Sequence, residues 1–133
     1  RDYPDRIRAA IRFDARLSRR MYAGGDILLM PSRYEPCGLA QMMAMRYGCV
    51  PLARATGGLK DTIVDADREV KDGTGFLFEP ASGVALAQAL ERALAVYADK
   101  PRWQAIQVRG MGLDFSWEKS ALAYVLLYKE LLK

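Results

Sequence analysis

Two glycine-containing segments hold the residues of this chain whose types and spacing are suited to chemistry. Residues 31–39 have the sequence Pro-Ser-Arg-Tyr-Glu-Pro-Cys-Gly-Leu, and residues 55–59 have the sequence Ala-Thr-Gly-Gly-Leu. Each segment follows a short apolar run and precedes a helical pattern, so each should present free backbone N–H groups where a helix begins. Such groups bind anions. Side by side, the two segments could hold a diphosphate.

Glu35 is the carboxylate in these segments that could face a ligand. There it could bind sugar hydroxyls or stabilise positive charge that develops at a reacting carbon. It could also cap the following helix or pair with Arg33, and the spacing alone favours these structural roles. Cys37 stands near the same helix start, but the chain contains no histidine to act as its base. A small packed residue is therefore the default interpretation of Cys37.

The composition excludes several classes of function. The Walker spacing of glycines and lysine is absent, and so is the Gly-x-Gly-x-x-Gly pattern, which argues against P-loop kinases and dinucleotide-dependent dehydrogenases. Two cysteines without a histidine cannot complete a four-ligand metal site, and they do not indicate a secreted disulfide scaffold. We therefore expect no bound metal and a reducing, cytoplasmic environment.

The net charge of +4 lies at the start of the chain, where residues 1–20 hold seven arginines and three aspartates. An arginine-rich end could contact nucleic acid or a phosphate-bearing ligand. No nucleic-acid motif accompanies these arginines, so a solvated face is the favoured interpretation and no nucleic-acid partner is expected. No apolar stretch approaches the length of a membrane span, so no membrane partner is expected either.

The hydrophobic pattern predicts one small α/β domain of 133 residues with a parallel sheet and flanking helices. The predicted strands cover residues 6–13, 26–30, 49–53 and 75–78. The predicted helices cover residues 14–23 (capped by Asp14), 38–47, 59–64, 82–98 (capped by Ser82), 101–112 and 116–132 (capped by Ser116). Four strands are few for such a sheet, so we expect that strands on its N-terminal side are missing from the chain.

Two helices have apolar stripes that predict what they contact. In the helix over residues 38–47, one side carries Leu39, Met42, Met43 and Arg46, and the methionines at 42, 43 and 45 are predicted to fill the core. In the last helix, an inward-facing stripe is predicted at Tyr124, Val125, Tyr128, Leu131 and Leu132.

Five segments, in order, resemble the bacterial glycogen synthases and plant starch synthases: residues 26–41, 45–48, 55–62, 73–79 and 114–117. The string Glu-Pro-Cys-Gly-Leu is the most specific part, and the resemblance covers essentially the whole chain. These enzymes have the GT-B architecture, in which two Rossmann-like domains face a cleft. The resemblance implies that residues 1–133 form most of the C-terminal domain, which binds the nucleotide sugar.

The resemblance implies a retaining glucosyltransferase that moves glucose from ADP-glucose or UDP-glucose to the non-reducing end of an α-1,4-glucan, without a metal or other cofactor. Glu35 matches the family's acid at the donor glucosyl group, and Phe13 stands where relatives stack a tyrosine on adenine. The remaining matched residues supply backbone contacts to the donor: Cys37, Gly38 and Leu39 in the first segment, and Thr56, Gly57 and Gly58 in the second.

The resemblance implies that the family's Arg and Lys that grip the diphosphate, its glycine-rich N-terminal loop and its acceptor-side His would all lie upstream of this chain, and that the α-glucan binds through the missing N-terminal domain. We therefore expect the chain alone to be inactive and to self-associate, and we expect the bacterial cytoplasm rather than a plastid as its location. Two alternatives stay open: another GT-B glycosyltransferase, or a nucleotide- or glycan-binding module that does no chemistry. The cysteine of Glu-Pro-Cys-Gly-Leu, where other GT-B enzymes have phenylalanine, favours the synthase branch.

Overall fold

Three short parallel strands form the sheet in a computed structural model that describes residues 3–132. The strands are β1 (Ile27–Met30), β2 (Val50–Arg54) and β3 (Phe76–Phe78), in the order β1-β2-β3. Ile27 pairs with Val50, and Leu52 pairs with Phe76, in parallel register. Each connection between neighbouring strands contains a helix, as parallel strands require.

Six helices surround or extend this sheet in the described part of the chain. They are α1 (Ala15–Gly24), α2 (Ala40–Arg46), α3 (Gly57–Thr62), α4 (Gly83–Ala98), α5 (Lys100–Gly112) and α6 (Trp117–Leu131). Asp14, Ser82 and Ser116 accept backbone N–H groups at the starts of α1, α4 and α6, which confirms the predicted caps. None of the helices in residues 3–132 combines the length and the apolar character that crossing a bilayer requires.

The core covers both faces of the sheet, which explains why β2 is a continuous apolar run. On one face, Leu52 and Phe76 pack with residues of α4 and α5. Trp103 of α5 stacks on Phe76, with ring centroids 6.3 Å apart. On the other face, Leu59 and Ile63 pack against Ala53. These contacts hold β2 and β3 in place, and they fix the positions at which these strands end.

The predicted strand over residues 6–13 is wrong, because these residues pair with no other strand in the described structure. The side chains of Ile11 and Phe13 are both 98% exposed. An alternating sequence becomes a strand only where a sheet edge accepts its N–H and C=O groups. The sheet of the described residues therefore has three strands rather than four.

The prediction that the apolar stripe of α6 faces inward is also wrong. All five residues of this stripe are exposed: Tyr124, Val125, Tyr128, Leu131 and Leu132. The helix contains no buried residue, because no other element in residues 3–132 covers it. A helix that is apolar on most of its surface is normally covered by another element, so α6 is a surface on which association can occur.

We predict that the purified 133-residue chain self-associates through α6. Size-exclusion chromatography with light scattering should give a mass above the 14.9 kDa of one chain. Tyr128→Glu places a charge within the apolar stripe and should shift the mass toward 14.9 kDa. Ala123→Glu adds the same charge outside that stripe and should have a smaller effect. A monomeric wild-type chain at high concentration would contradict the prediction.

Candidate functional site

Two connecting segments lie side by side at the C-terminal ends of β1 and β2, where parallel sheets bind their ligands. They are the β1–α2 loop (residues 31–39) and the β2–α3 junction (residues 55–58). The two segments are in direct contact, because the Gly58 N–H donates a hydrogen bond to the Pro36 carbonyl oxygen at 3.2 Å. The two segments singled out from the sequence are therefore adjacent.

The close contact between these segments depends on glycine. A Cβ atom at Gly58 would overlap the carbonyl oxygen of Cys37, and one at Gly57 would overlap the carbonyl oxygen of Glu35. Gly57 also has a φ of +45°, a backbone conformation that is unfavourable for residues with a Cβ atom. Both glycines belong to the first turn of α3, which begins at Gly57 rather than at the predicted residue 59.

The carbonyl groups of the β1–α2 loop point into the protein. Arg54, at the end of β2, donates from its guanidinium to the Ser32 carbonyl oxygen at 2.7 Å and to the Arg33 carbonyl oxygen. Further along the loop, the Gln41 side-chain nitrogen lies 3.3 Å from the Cys37 carbonyl oxygen and 2.8 Å from that of Gly38. These bonds, with the one from Gly58 to Pro36, hold the loop through its backbone.

The inward carbonyls determine where the loop's amides point. In a trans peptide, the C=O of one residue and the N–H of the next point in opposite directions. Inward carbonyls at residues 36–38 therefore turn the N–H groups of Cys37, Gly38 and Leu39 outward, that is, away from Gly58 and Gln41, although Gly38 as a whole residue is buried. These N–H groups donate to no acceptor among residues 3–132. The three amides predicted to bind a ligand are thus adjacent and free, and they lie just before α2, which begins at Ala40.

The structure excludes the two structural roles considered for Glu35. Its carboxylate forms no ion pair with any described residue, so the pairing with Arg33 is wrong. The N-cap of α2 is Leu39, and no side chain caps this helix, so the capping role is wrong as well. Glu35 is half-buried on the loop. Its carboxylate is therefore unpaired, two residues before the first of the free amides in the chain.

Phe13 lies apart from the two contacting segments, immediately before α1. Its exposed ring lines a cavity of about 380 Å³ together with residues of α1 and Met43 of α2. Met43 also lines a cavity of about 620 Å³ with Leu39, between α2 and the linker that joins α5 to α6. Met43 therefore lines both cavities, one together with Phe13 and the other together with Leu39 of the β1–α2 loop.

The position of the methionines corrects part of the sequence analysis. Met45 is buried in the core, as predicted. Met42 and Met43 instead line the cavity of about 620 Å³, because the buried face of α2 consists of Gln41, Ala44 and Met45. The side of α2 that carries Leu39 and Arg46 is thus a cavity wall and not a core face.

The site is also supported by three residues that were not predicted from the sequence: Gln41, Thr62 and Arg54. Gln41 could have been found, because it shares one helical face with Ala44 and Met45, and a polar residue on a buried face requires a partner. Thr62 and Arg54 act through long-range hydrogen bonds that have no local signal.

Neither cysteine is in a disulfide in this structure. Burial, with a smaller contribution from Asp26, raises the pKa of the Cys49 thiol to about 11, so this thiol stays protonated at neutral pH. Cys37 is exposed on the β1–α2 loop. Within residues 3–132, no group of three or more His, Cys, Asp or Glu side chains is arranged to hold a metal ion.

Residues 7–106 match the family described as glycosyl transferases group 1. The chain belongs to this family, and its sheet and helices are those of a GT-B glycosyltransferase domain, as predicted. It is 51% identical over 131 residues to a glycogen synthase of Anaeromyxobacter sp. (strain Fw109-5) and 49% identical to a glycogen synthase of Thermotoga petrophila. Each match covers 98% of this chain and 27% of the relative.

Two solved structures resemble the fold. The catalytic domain of starch synthase IV from Arabidopsis thaliana, bound to ADP and acarbose, matches 97% of this chain and 27% of its own length, with a TM-score of 0.86 and 39% identity. Sucrose-phosphate synthase from Thermosynechococcus elongatus matches 98% of this chain and 31% of its own, with a TM-score of 0.69 and 32% identity. The chain thus spans about a quarter of the length of the curated relatives that it matches.

We predict that Gly58→Ala destabilises the chain while Gly83→Ala does not. A Cβ at Gly58 would overlap the Cys37 carbonyl oxygen, whereas at Gly83, the first residue of α4, it would meet nothing within 4 Å. Gly58→Ala should lower the free energy of unfolding by about 2 kcal/mol or more. Gly83→Ala should leave it unchanged or raise it by up to about 1 kcal/mol.

Urea unfolding of both variants measures this difference. Equal stability of the two variants would show that the β1–α2 loop and the β2–α3 junction are not in close contact.

Proposed function

We propose that this chain is the donor-binding part of an enzyme that transfers glucose from ADP-glucose or UDP-glucose to the non-reducing end of an α-1,4-glucan, with retention of configuration. One observation carries the proposal: three outward backbone amides follow an unpaired Glu35 in the same loop, in a chain about half identical to glycogen synthases. The starch synthase structure that it resembles holds ADP and acarbose, which are a nucleotide and an oligosaccharide inhibitor.

In this proposal, the outward amides of Cys37, Gly38 and Leu39 donate to the hydroxyl oxygens of the glucosyl group. Backbone N–H groups held in place by inward carbonyls need no reorganisation when a ligand arrives, which is the condition for electrostatic catalysis. Thr56, Gly57 and Gly58 of the β2–α3 junction are assigned to the diphosphate. The N–H groups of Thr56 and Gly58 already donate to the carbonyl oxygens of Arg54 and Pro36, so Gly57 is the residue whose N–H would reach the ligand. The ring of Phe13 stacks on the base.

Glu35 acts on the reacting carbon in this proposal. Glycosyl transfer passes through a state in which positive charge develops at the sugar ring, and a nearby carboxylate stabilises that charge. The bond between the anomeric carbon and the phosphate oxygen breaks, and its electron pair leaves with the diphosphate. The acceptor hydroxyl oxygen forms the new bond to the anomeric carbon, and its proton passes to the departing diphosphate oxygen. The proposal includes no metal or other cofactor.

The comparisons also guide the choice between related functions. Identity is 51% and 49% to bacterial glycogen synthases but 32% to sucrose-phosphate synthase, which favours a glucan synthase over another GT-B transferase. Identity to the plant starch synthase is 39%, which favours a bacterial enzyme in the cytoplasm over a plastid enzyme. The α-glucan acceptor would bind with help from protein outside this chain, and the proposal includes no nucleic-acid or membrane partner.

We predict that Glu35→Gln in the complete protein lowers kcat by about 10²-fold or more, because it removes the charge beside the reacting carbon. The melting temperature should change by only a few degrees, since Glu35 forms no ion pair or cap with the described residues. Transfer of labelled glucose from ADP-glucose to glycogen measures kcat. Glu91→Gln, an exposed carboxylate change on α4, is the matched control and should leave kcat unchanged.

In the same assay, Phe13→Ala should raise the donor KM several-fold, which corresponds to a loss of about 1 kcal/mol in donor binding, with little change in kcat. Phe13→Tyr should keep the wild-type KM because it retains the ring.

The 133-residue chain alone should incorporate no glucose. Normal turnover by Glu35→Gln together with a large loss of stability would overturn its catalytic role. Inactivity of the complete wild-type protein with both nucleotide sugars would leave the binding module as the better description.

A further inference from the structure

Gln41 is a buried polar side chain that links the two segments of the candidate site. Its side chain is fully enclosed, with 0% exposure. The side-chain nitrogen lies within hydrogen-bond distance of the carbonyl oxygens of Cys37 and Gly38, and it lies 3.0 Å from the Thr62 hydroxyl oxygen. One amide group therefore contacts both the β1–α2 loop and the end of α3.

The Thr62 hydroxyl completes the link to the β2–α3 junction. It accepts from Gln41 and donates to the Gly58 carbonyl oxygen at 2.5 Å. Gly58 in turn donates its N–H to the Pro36 carbonyl oxygen in the β1–α2 loop. The hydrogen bonds thus run from the loop through Gln41 and Thr62 to Gly58, and from Gly58 back to the loop.

The orientation of the Gln41 amide follows from its partners. Three acceptors surround its nitrogen, and the opposite atom, Oε1, is buried without a hydrogen-bond partner among the described residues. A buried acceptor without a partner lowers stability. An apolar side chain of the same size would avoid that cost, but it would leave the carbonyl oxygens of Cys37 and Gly38 without this donor. The side-chain nitrogen, placed between those carbonyls and the Thr62 hydroxyl, is therefore the group that holds the loop.

We infer that Gln41 and Thr62 are positioning residues that set the place of Glu35 and of the outward amides relative to the β2–α3 junction. We call the pair the Gln41–Thr62 brace. The inference rests on the proposed function, because it assigns the brace an effect on glucosyl transfer. The brace does not touch the donor: it fixes the carbonyls of Cys37 and Gly38, and the peptide geometry then fixes the amides that follow them.

Thr62→Val and Thr62→Ser test the brace as a matched pair in the complete protein. Valine keeps the shape of threonine but has no hydroxyl, whereas serine keeps the hydroxyl. Thr62→Val should lower kcat about tenfold, with a donor KM within about twofold of wild type, because misplaced groups slow the chemical step. Thr62→Ser should keep kcat within about twofold of wild type. Gln41→Met, of similar size, should reproduce the effect of Thr62→Val.

Hydrogen–deuterium exchange of the peptide covering residues 55–62 gives a second readout that does not depend on activity. Thr62→Val should speed exchange of the Gly58 amide about tenfold or more, and Thr62→Ser should not, because the hydroxyl holds Gly58 against Pro36. If the complete wild-type protein transfers no glucose, the proposed function fails, and this exchange measurement still decides whether the brace exists.

Two results would overturn the inference. One is wild-type kcat and wild-type exchange in both Thr62→Val and Gln41→Met. The other is a loss of kcat in these variants that follows a melting temperature lowered by more than a few degrees, since this would show a purely structural role.

Discussion

A peptide group that turns its carbonyl inward must turn the N–H of the next residue outward. The candidate site depends on this constraint at residues 36–38, where the carbonyls bond to Gly58 and to Gln41. The parallel pairing of β1 with β2 supports it by bringing the β2–α3 junction beside the loop. Two glycines then allow contact between backbones. Glu35, which bonds to none of these partners, is carried by the loop they fix.

Under the proposed function, the donor site uses neither a histidine, which the sequence lacks, nor a cluster of metal ligands, which residues 3–132 do not contain. The proposed binding groups are neutral backbone amides, whose direction is set by the fold, and one carboxylate supplies the charge. Side chains that support the loop, Arg54 and Gln41, act on its carbonyls from inside the protein. The supporting side chains and the proposed ligand therefore contact opposite sides of the same peptide groups. A substitution that moves the carbonyl groups should also move the N–H groups that follow them.

The sequence predicted the features that depend on local signals. Caps at Asp14, Ser82 and Ser116 lie where predicted, and the two glycine segments do meet at the ends of adjacent strands. The strand over residues 6–13 and the inward stripe of α6 were wrong, because pairing and burial depend on other elements and not on periodicity. The role of Thr62 was missed for a related reason, since its hydrogen bond with Gln41 joins residues that are 21 positions apart. Gln41 itself lies on the buried face of α2, a local signal that could have revealed it.

A crystal structure of the complete protein with ADP-glucose tests the central claim most directly. The distances to measure join the glucosyl hydroxyl oxygens to the backbone nitrogens of Cys37, Gly38 and Leu39. We predict that at least two of these distances fall at roughly 2.7–3.2 Å, the range of a hydrogen bond, with the Glu35 carboxylate beside the anomeric carbon. A glucosyl group bound away from all three nitrogens, or amides that donate to the protein itself, would contradict the account.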